Sequence, residues 1–287
     1  MNGAEEQVAA VLRSAALPNE SAARLVVFDE EELERRHRRS VMTGRIVVGI
    51  VIIGLWEVLS RIGWLNAYYW SRPSTIVQTA WVQLTQGTLL SDVLYTSGST
   101  VIGFVSGTLV GAAVGLSFWW SRSYAEVSEP FLILLNAMPK LALAPVLVIL
   151  LGIGFFSKVA LAFLMTVIVT ALSAYSGVKS LDSDMERLLY SLGAQRRHVF
   201  FKVVVPWSMP WIIGSLRINI ALALAGAIVG EFIASQQGVG RMILYAGTIL
   251  DIPLVWVGVV VLSILSMVMY TGVVALEKWL SQGLPKS

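Results

Sequence analysis

Apolar positions in this chain come in long blocks, and polar positions gather between them. A membrane-crossing helix needs about 20 consecutive, mostly apolar residues. Six blocks reach that length, at about residues 42–63, 94–119, 131–152, 157–178, 212–235 and 254–277. The pattern predicts an all-α membrane protein with six transmembrane helices. Residues 73–92 follow a different rhythm, with Val77, Trp81 and Leu84 recurring on one helical face. That spacing predicts a short helix lying on the outer membrane surface. It follows Trp64, Tyr68, Tyr69 and Trp70, an aromatic cluster of the kind found at a membrane–water interface.

Composition agrees with lipid exposure. Of 287 residues 56% are apolar and only 14% charged, where a soluble domain carries roughly 25% charged residues. Fifteen of the thirty-nine charges fall within residues 1–45, so residues 1–41 read as a polar cytoplasmic N-terminal extension and residues 42–282 as the transmembrane domain. Residues 29–39, where opposite charges fall four apart, suit a helix. With the N-terminus inside, thirteen Lys and Arg flank the inner side and four (Arg61, Arg72, Lys158, Arg241) the outer side. The positive-inside rule then places both termini in the cytoplasm. An even number of spans satisfies that placement. No basic stretch leads into an apolar core at the start, so no cleaved signal peptide is expected. The absence of Cys and the presence of only His37 and His198 exclude disulfides, zinc clusters and thiol nucleophiles. The net charge of +3 is modest and its Lys and Arg sit beside apolar blocks, which points to topology and lipid contact rather than nucleic acid.

The longest inner loop, residues 179–211, is built for a task. Residues 185–192 and 199–205 read as two helical stretches around a break at Gly193, with Arg196 and Arg197 at the break. Leu188, Leu189 and Leu192 make one apolar face and Val199, Phe200 and Val203 another. Apolar faces presented to the cytoplasm predict a soluble partner that covers them.

This loop resembles the EAA loop of permease subunits in bacterial ABC importers, in which Glu-Ala-Ala is followed by a Gly and, about a dozen residues on, by Leu-Pro. Gly193, Ala194, Pro206 and Pro210 match in place; the Glu-Ala-Ala positions hold Arg187, Leu188 and Leu189, with Glu186 one place early. The similarity extends over most of residues 45–282. Arg72-Pro73-Ser74, the proline-rich run Asn136 to Pro145, Gly230-Glu231-Phe232-Ile233 and Gly238-Val239-Gly240 look like stretches of the nitrate, sulfonate and taurine type. The resemblance implies a type I importer fold in a bacterial cytoplasmic (inner) membrane. It also implies a pair of permease copies, ABC ATPase subunits docked on the inner loop, and an extracytoplasmic substrate-binding protein. The cargo it implies is a small solute, anionic, or in some relatives riboflavin or a pyrimidine thiamine precursor.

Individual residues carry further expectations. Gly103, Gly107, Gly111 and Gly115 line one face of the second span at four-residue spacing, which suits close helix packing or a sliding surface. Lys140 is the one basic residue near the middle of a block, between Pro139 and Pro145. A charge there costs about 2.5–3.5 kcal/mol on insertion scales, so it should face protein or water. With Asn136 and Pro139 it is a candidate for the translocation path, or else it has an internal partner. Glu231 is a candidate for the same path, as a gate or as an anchor for the 236–250 loop, or a partner of Arg241. Glu57 and Arg61 should pair, and Arg217 should snorkel.

No Gly-x-x-x-x-Gly-Lys-Ser/Thr occurs, so any ATP chemistry belongs to another subunit and neither a catalytic residue, a metal nor a cofactor is expected. An ion-gradient transporter should show several intramembrane acids and internal repeats; one acid, Glu231, is well placed. An intramembrane enzyme would need convergent nucleophile and base groups, for which the composition is poor.

Overall fold

A computed structural model describes residues 20–282, and the side chains of residues 20–36, 38, 39 and 67 fall outside that description. The tail 1–19, the charge pairing expected within residues 29–36 and Lys286 therefore lie outside the described residues. Every regular element among the described residues is helical. The chain divides at Leu65 into two units. The first contains α1 (Glu20–Arg61), whose apolar part is Ser40–Arg61 and whose expected Glu57–Arg61 pair forms at 2.7 Å.

The second unit holds the remaining helices. α2 (Ala67–Trp70) and α3 (Pro73–Thr85) precede the long α4 (Leu89–Ser117), which ends in a 3-10 turn, Phe118–Trp120. The expected face of α3 forms and stays open: Val77, Trp81 and Leu84 are exposed while Ile76 is buried. α5 (Arg122–Ala137) starts on a Ser121 side chain that accepts the Tyr124 amide, then stops at Met138–Pro139. A 3-10 turn, Lys140–Leu143, leads into α6 (Ala144–Leu151), and the two arms are bent by 80°. The third apolar block is thus two helices rather than one. Proline lacks the amide hydrogen and clashes with the preceding turn.

α7 (Phe155–Lys179) packs along α4 in the most extensive helix contact of the chain. The four glycines set it. A Cβ at Gly111 would lie 2.8 Å from the Thr170 Cβ, and one at Gly115 2.6 Å from the Ala174 Cβ. Gly103 meets Ala162 and Gly107 meets Thr166 in the same manner. Residue numbers rise together along both helices, so α4 and α7 run parallel. The chain between them has to return across the same thickness, and the bent pair α5–α6 makes that return. Counted as one crossing, it brings the candidate spans among the described residues to six.

α8 (Ser183–Ser191) follows, then α9 (Arg196–Val199), a π-helical turn at Phe200–Val204, and α10 (Val205–Ile233). α10 lies antiparallel to α7: Gly177 abuts Ser208, and Gly230 abuts Lys158. α11 (Val239–Thr248) and α12 (Ile252–Ser281, started by Asp251 accepting the Leu254 amide) complete the unit. The apolar core runs between α4, α7, α10 and α12, with Phe104, Ala162, Ile213, Leu216, Ile220 and Val273 packed together. Arg217 has a partner within the bundle, its Nε reaching Glu277 of α12 at 2.5 Å. A partner in reach offsets the cost of a charge in lipid better than stretching to the interface.

Candidate functional site

Three places carry the residues singled out by the sequence. The first is the loop. Asp182 caps α8 by accepting the Asp184 amide (2.9 Å), and Asp184 and Glu186 occupy the first turn, where acids suit the helix dipole. The helix stops at Gly193, which takes φ +84°. The Gly193 amide donates to the Tyr190 carbonyl (3.0 Å) and the Ala194 amide to the Leu189 carbonyl (3.0 Å), the two bonds of a Schellman cap. Gly193 is needed there for its left-handed backbone, while Ala194 contributes only its amide. Burial pushes the Tyr190 phenol up, and Glu186 beside it adds to the effect. Arg187 points outward and makes a 3.4 Å contact with Asp184. Leu188 and Leu192 are 59% and 75% exposed, with Met185 and Phe201 also open, while Glu186, Leu189 and Ala194 are half-buried. These side chains make an open apolar surface at the end of the unit away from Glu231.

The second helical stretch of the loop is not separate from the fifth span. Residues 196–233 form one continuous rod. A π turn lets the helix run through Pro206. The Val205 amide bonds to the Phe200 carbonyl five residues back, and Pro206 enters in the first turn of α10, where its missing donor is least costly.

The break in the third block is the second place, and it brings Asn136, Pro139 and Lys140 together. In an unbroken helix the Asn136 carbonyl would take the amide of Lys140. Here the Lys140 ammonium donates to that carbonyl (3.1 Å) and to the Asn136 side-chain oxygen (3.3 Å). The lysine thus closes the end of α5 while staying partly accessible, with Asn136 and Pro139 exposed beside it.

Glu231 lies apart from these, in a third place whose other members the sequence hid. It is 1% exposed, and its carboxylate accepts the Thr96 hydroxyl (2.8 Å) and the Gly240 amide (2.8 Å). Thr96 in turn accepts the Val239 amide (3.0 Å), and buried Asp92 accepts the Gly238 amide and the Thr88 hydroxyl, both at 2.7 Å. Gly238 adopts φ +113°, and a Cβ there would lie 2.5 Å from the Glu231 carboxylate oxygens. Lys158 is fully buried alongside; its ammonium donates to Ser157 (3.2 Å) and to the Ala234 carbonyl and attracts Glu231 through space. Two acids and one base thereby tie α4, α7, α10 and α11 together, and Glu231 anchors the 236–250 loop. Asp92, Thr96 and Lys158 were missed. Lys158 opens a stripe of its own, Lys158, Ala162, Thr166, Thr170 and Ala174, whose four-residue spacing mirrors the glycines of α4.

Residues 103–284 match the family of binding-protein-dependent transport system inner membrane components. The chain is 29% identical over 229 residues to the formylaminopyrimidine transport permease protein of Halalkalibacterium halodurans, covering 79% of this chain and 90% of that one. It is 32% identical over 181 residues to the taurine transport system permease protein of Escherichia coli, 63% of this chain and 66% of that one. An inward-facing structure of the MetNI methionine ABC transporter superposes with a TM-score of 0.58 at 15% identity, over 66% of this chain and 94% of that chain, and shares its fold. The extent of the match and the six crossings leave one assignment: the chain belongs to the family of binding-protein-dependent transport inner membrane components, as an ABC importer permease.

Proposed function

We propose that this chain forms, with a second copy of itself, the translocation path of an ATP-driven importer in a bacterial cytoplasmic membrane, with both termini on the cytoplasmic side. An extracytoplasmic binding protein delivers the cargo, and ATPase subunits dock on residues 179–211. The observation that carries the reading is the open apolar surface of α8, joined through a short capped turn to the rod that forms the fifth span. Purification of the tagged chain from its host tests it. A stoichiometric ATPase stimulated by a binding protein is the expected result; a solitary chain with gradient-driven uptake contradicts it.

For the cargo, the Lys140 ammonium at the exposed break favours a small anion of the nitrate, sulfonate or aromatic carboxylate type. Lys140→Met should reduce anion uptake at least about tenfold, the size of one lost charge-assisted contact; unchanged uptake at normal membrane levels rejects the role. A neutral cargo, such as riboflavin or a pyrimidine thiamine precursor, is the second reading. It is supported by a groove of about 290 Å³ between α10 and α12 lined by Leu224, Ser263, Ser266, Met267 and Tyr270, which contains no charge.

A further inference from the structure

We propose that Arg196 is a positioning residue that joins the α8 docking surface to the α4–α7 helix pair, so that displacement of the loop moves that pair as one body. The inference rests on α8 as the ATPase-docking element and adds the contact that transmits its movement.

Arg196 is the first residue of the rod, two positions beyond the Gly193-Ala194 cap. Its guanidinium carbon lies 5.4 Å from the ring centroids of both Trp119 and Trp120, and it donates to the Trp120 main-chain carbonyl. Phe200, four residues on and so on the same helical face, packs on the same two indoles at 5.5 and 5.4 Å. The 3-10 turn ending α4 is therefore gripped from one side by two side chains one turn apart. From Trp119 the contact continues inward: Phe118 is 3% exposed and meets Tyr175 of α7 edge-on at 5.1 Å. A helix C-terminus offers unfilled carbonyls at the negative end of its dipole. A planar guanidinium can satisfy one in-plane while stacking on aromatic faces, which a lysine ammonium cannot.

Beyond the grip, α4 and α7 approach closely along the whole glycine stripe, with Gly103, Gly107, Gly111 and Gly115 each abutting the backbone or small side chains of α7, so the two helices are packed as a pair. Force delivered at Arg196 therefore reaches both helices together, and through α7 the buried Lys158–Glu231 cluster at the far end. Nothing in this route needs Arg196 to touch the partner ATPase.

The test reconstitutes the complete complex (chain, ATPase and binding protein) in vesicles and measures ATP hydrolysed per substrate imported. Arg196→Met should retain ATPase at the unsubstituted stoichiometry while ATP spent per substrate rises about fivefold or more, the scale of a lost cation–π contact with its hydrogen bond. Arg196→Lys should fall between the two. Trp119→Leu with Trp120→Leu should reproduce the loss from the other side, and adding Arg196→Met to it should change nothing further. An unchanged ratio in Arg196→Met overturns the inference. So does loss of ATPase from that variant, which would put Arg196 in the docking interface, and so do additive effects of the two sides. If the unsubstituted chain itself retains no ATPase, the reading of α8 fails instead, and the two failures are distinct.

Discussion

At the scale of single residues, space and charge decide what the α4–α7 seam tolerates. Gly111 has no room for a side chain, because its Cβ would lie 2.8 Å from that of Thr170. Gly111→Val should therefore cost about 1–3 kcal/mol through overpacking, visible as a lowered melting temperature in detergent. Gly272, with open space around it, is the contrast: Gly272→Ala should leave melting unchanged or slightly raised. Lys158 is the costliest buried side chain of the seam. Lys158→Met removes the cation nearest to Glu231 and should destabilise by about 3 kcal/mol, the lower end for a buried charge left without its partner. Adding Glu231→Gln should recover part of that loss; a double variant as unstable as the sum of both singles would show that the two groups do not interact.

At the scale of elements, caps and breaks explain where the helices end. α8 relies on a left-handed Gly193, so Gly193→Ala should cost roughly 1–2 kcal/mol. Hydrogen exchange should then quicken across α8 and stay unchanged in α7; equal protection in both would mean that the cap is dispensable. These elements also mark how far the sequence could be read. Apolar length is legible, because lipid forces every crossing to carry it: five of the six blocks became single helices and the third a bent pair. The glycine stripe is legible for a similar reason, since close approach demands small residues at fixed spacing. The 80° bend was announced by Pro139, but its consequence, a lysine side chain replacing a backbone amide, depends on geometry. Pro206 does not interrupt the rod, because the π turn before it accommodates what a proline locally forbids. Lys158 read as a flanking charge, since a one-dimensional pattern cannot distinguish a lysine at a membrane edge from one swallowed between helices. The Arg217–Glu277 pair was illegible for the same reason: it exists only once α10 and α12 lie side by side.

At the scale of the whole molecule, the parallel run of α4 and α7 requires one crossing between them, and an even number of crossings requires both ends on one side. Impermeant labelling of cysteines placed at the two ends of this Cys-free chain should react in inverted vesicles and be silent in intact cells; labelling of one end from each side would reduce the bent pair to a re-entrant loop. The buried lysine has a consequence in time as well as in space. Its acceptor on Ala234 lies 76 residues further along the chain. At a synthesis rate of about 5–20 residues per second, α7 waits roughly 4–15 s in the membrane before that acceptor is even made. During assembly the ammonium must stay hydrated at the lipid surface, and it is drawn inward only when the fifth span arrives. Burial of the charge thus has to wait for the fifth span, and a nascent chain truncated before Ala234 should leave Lys158 open to amine-reactive reagents that cannot reach it in the finished protein.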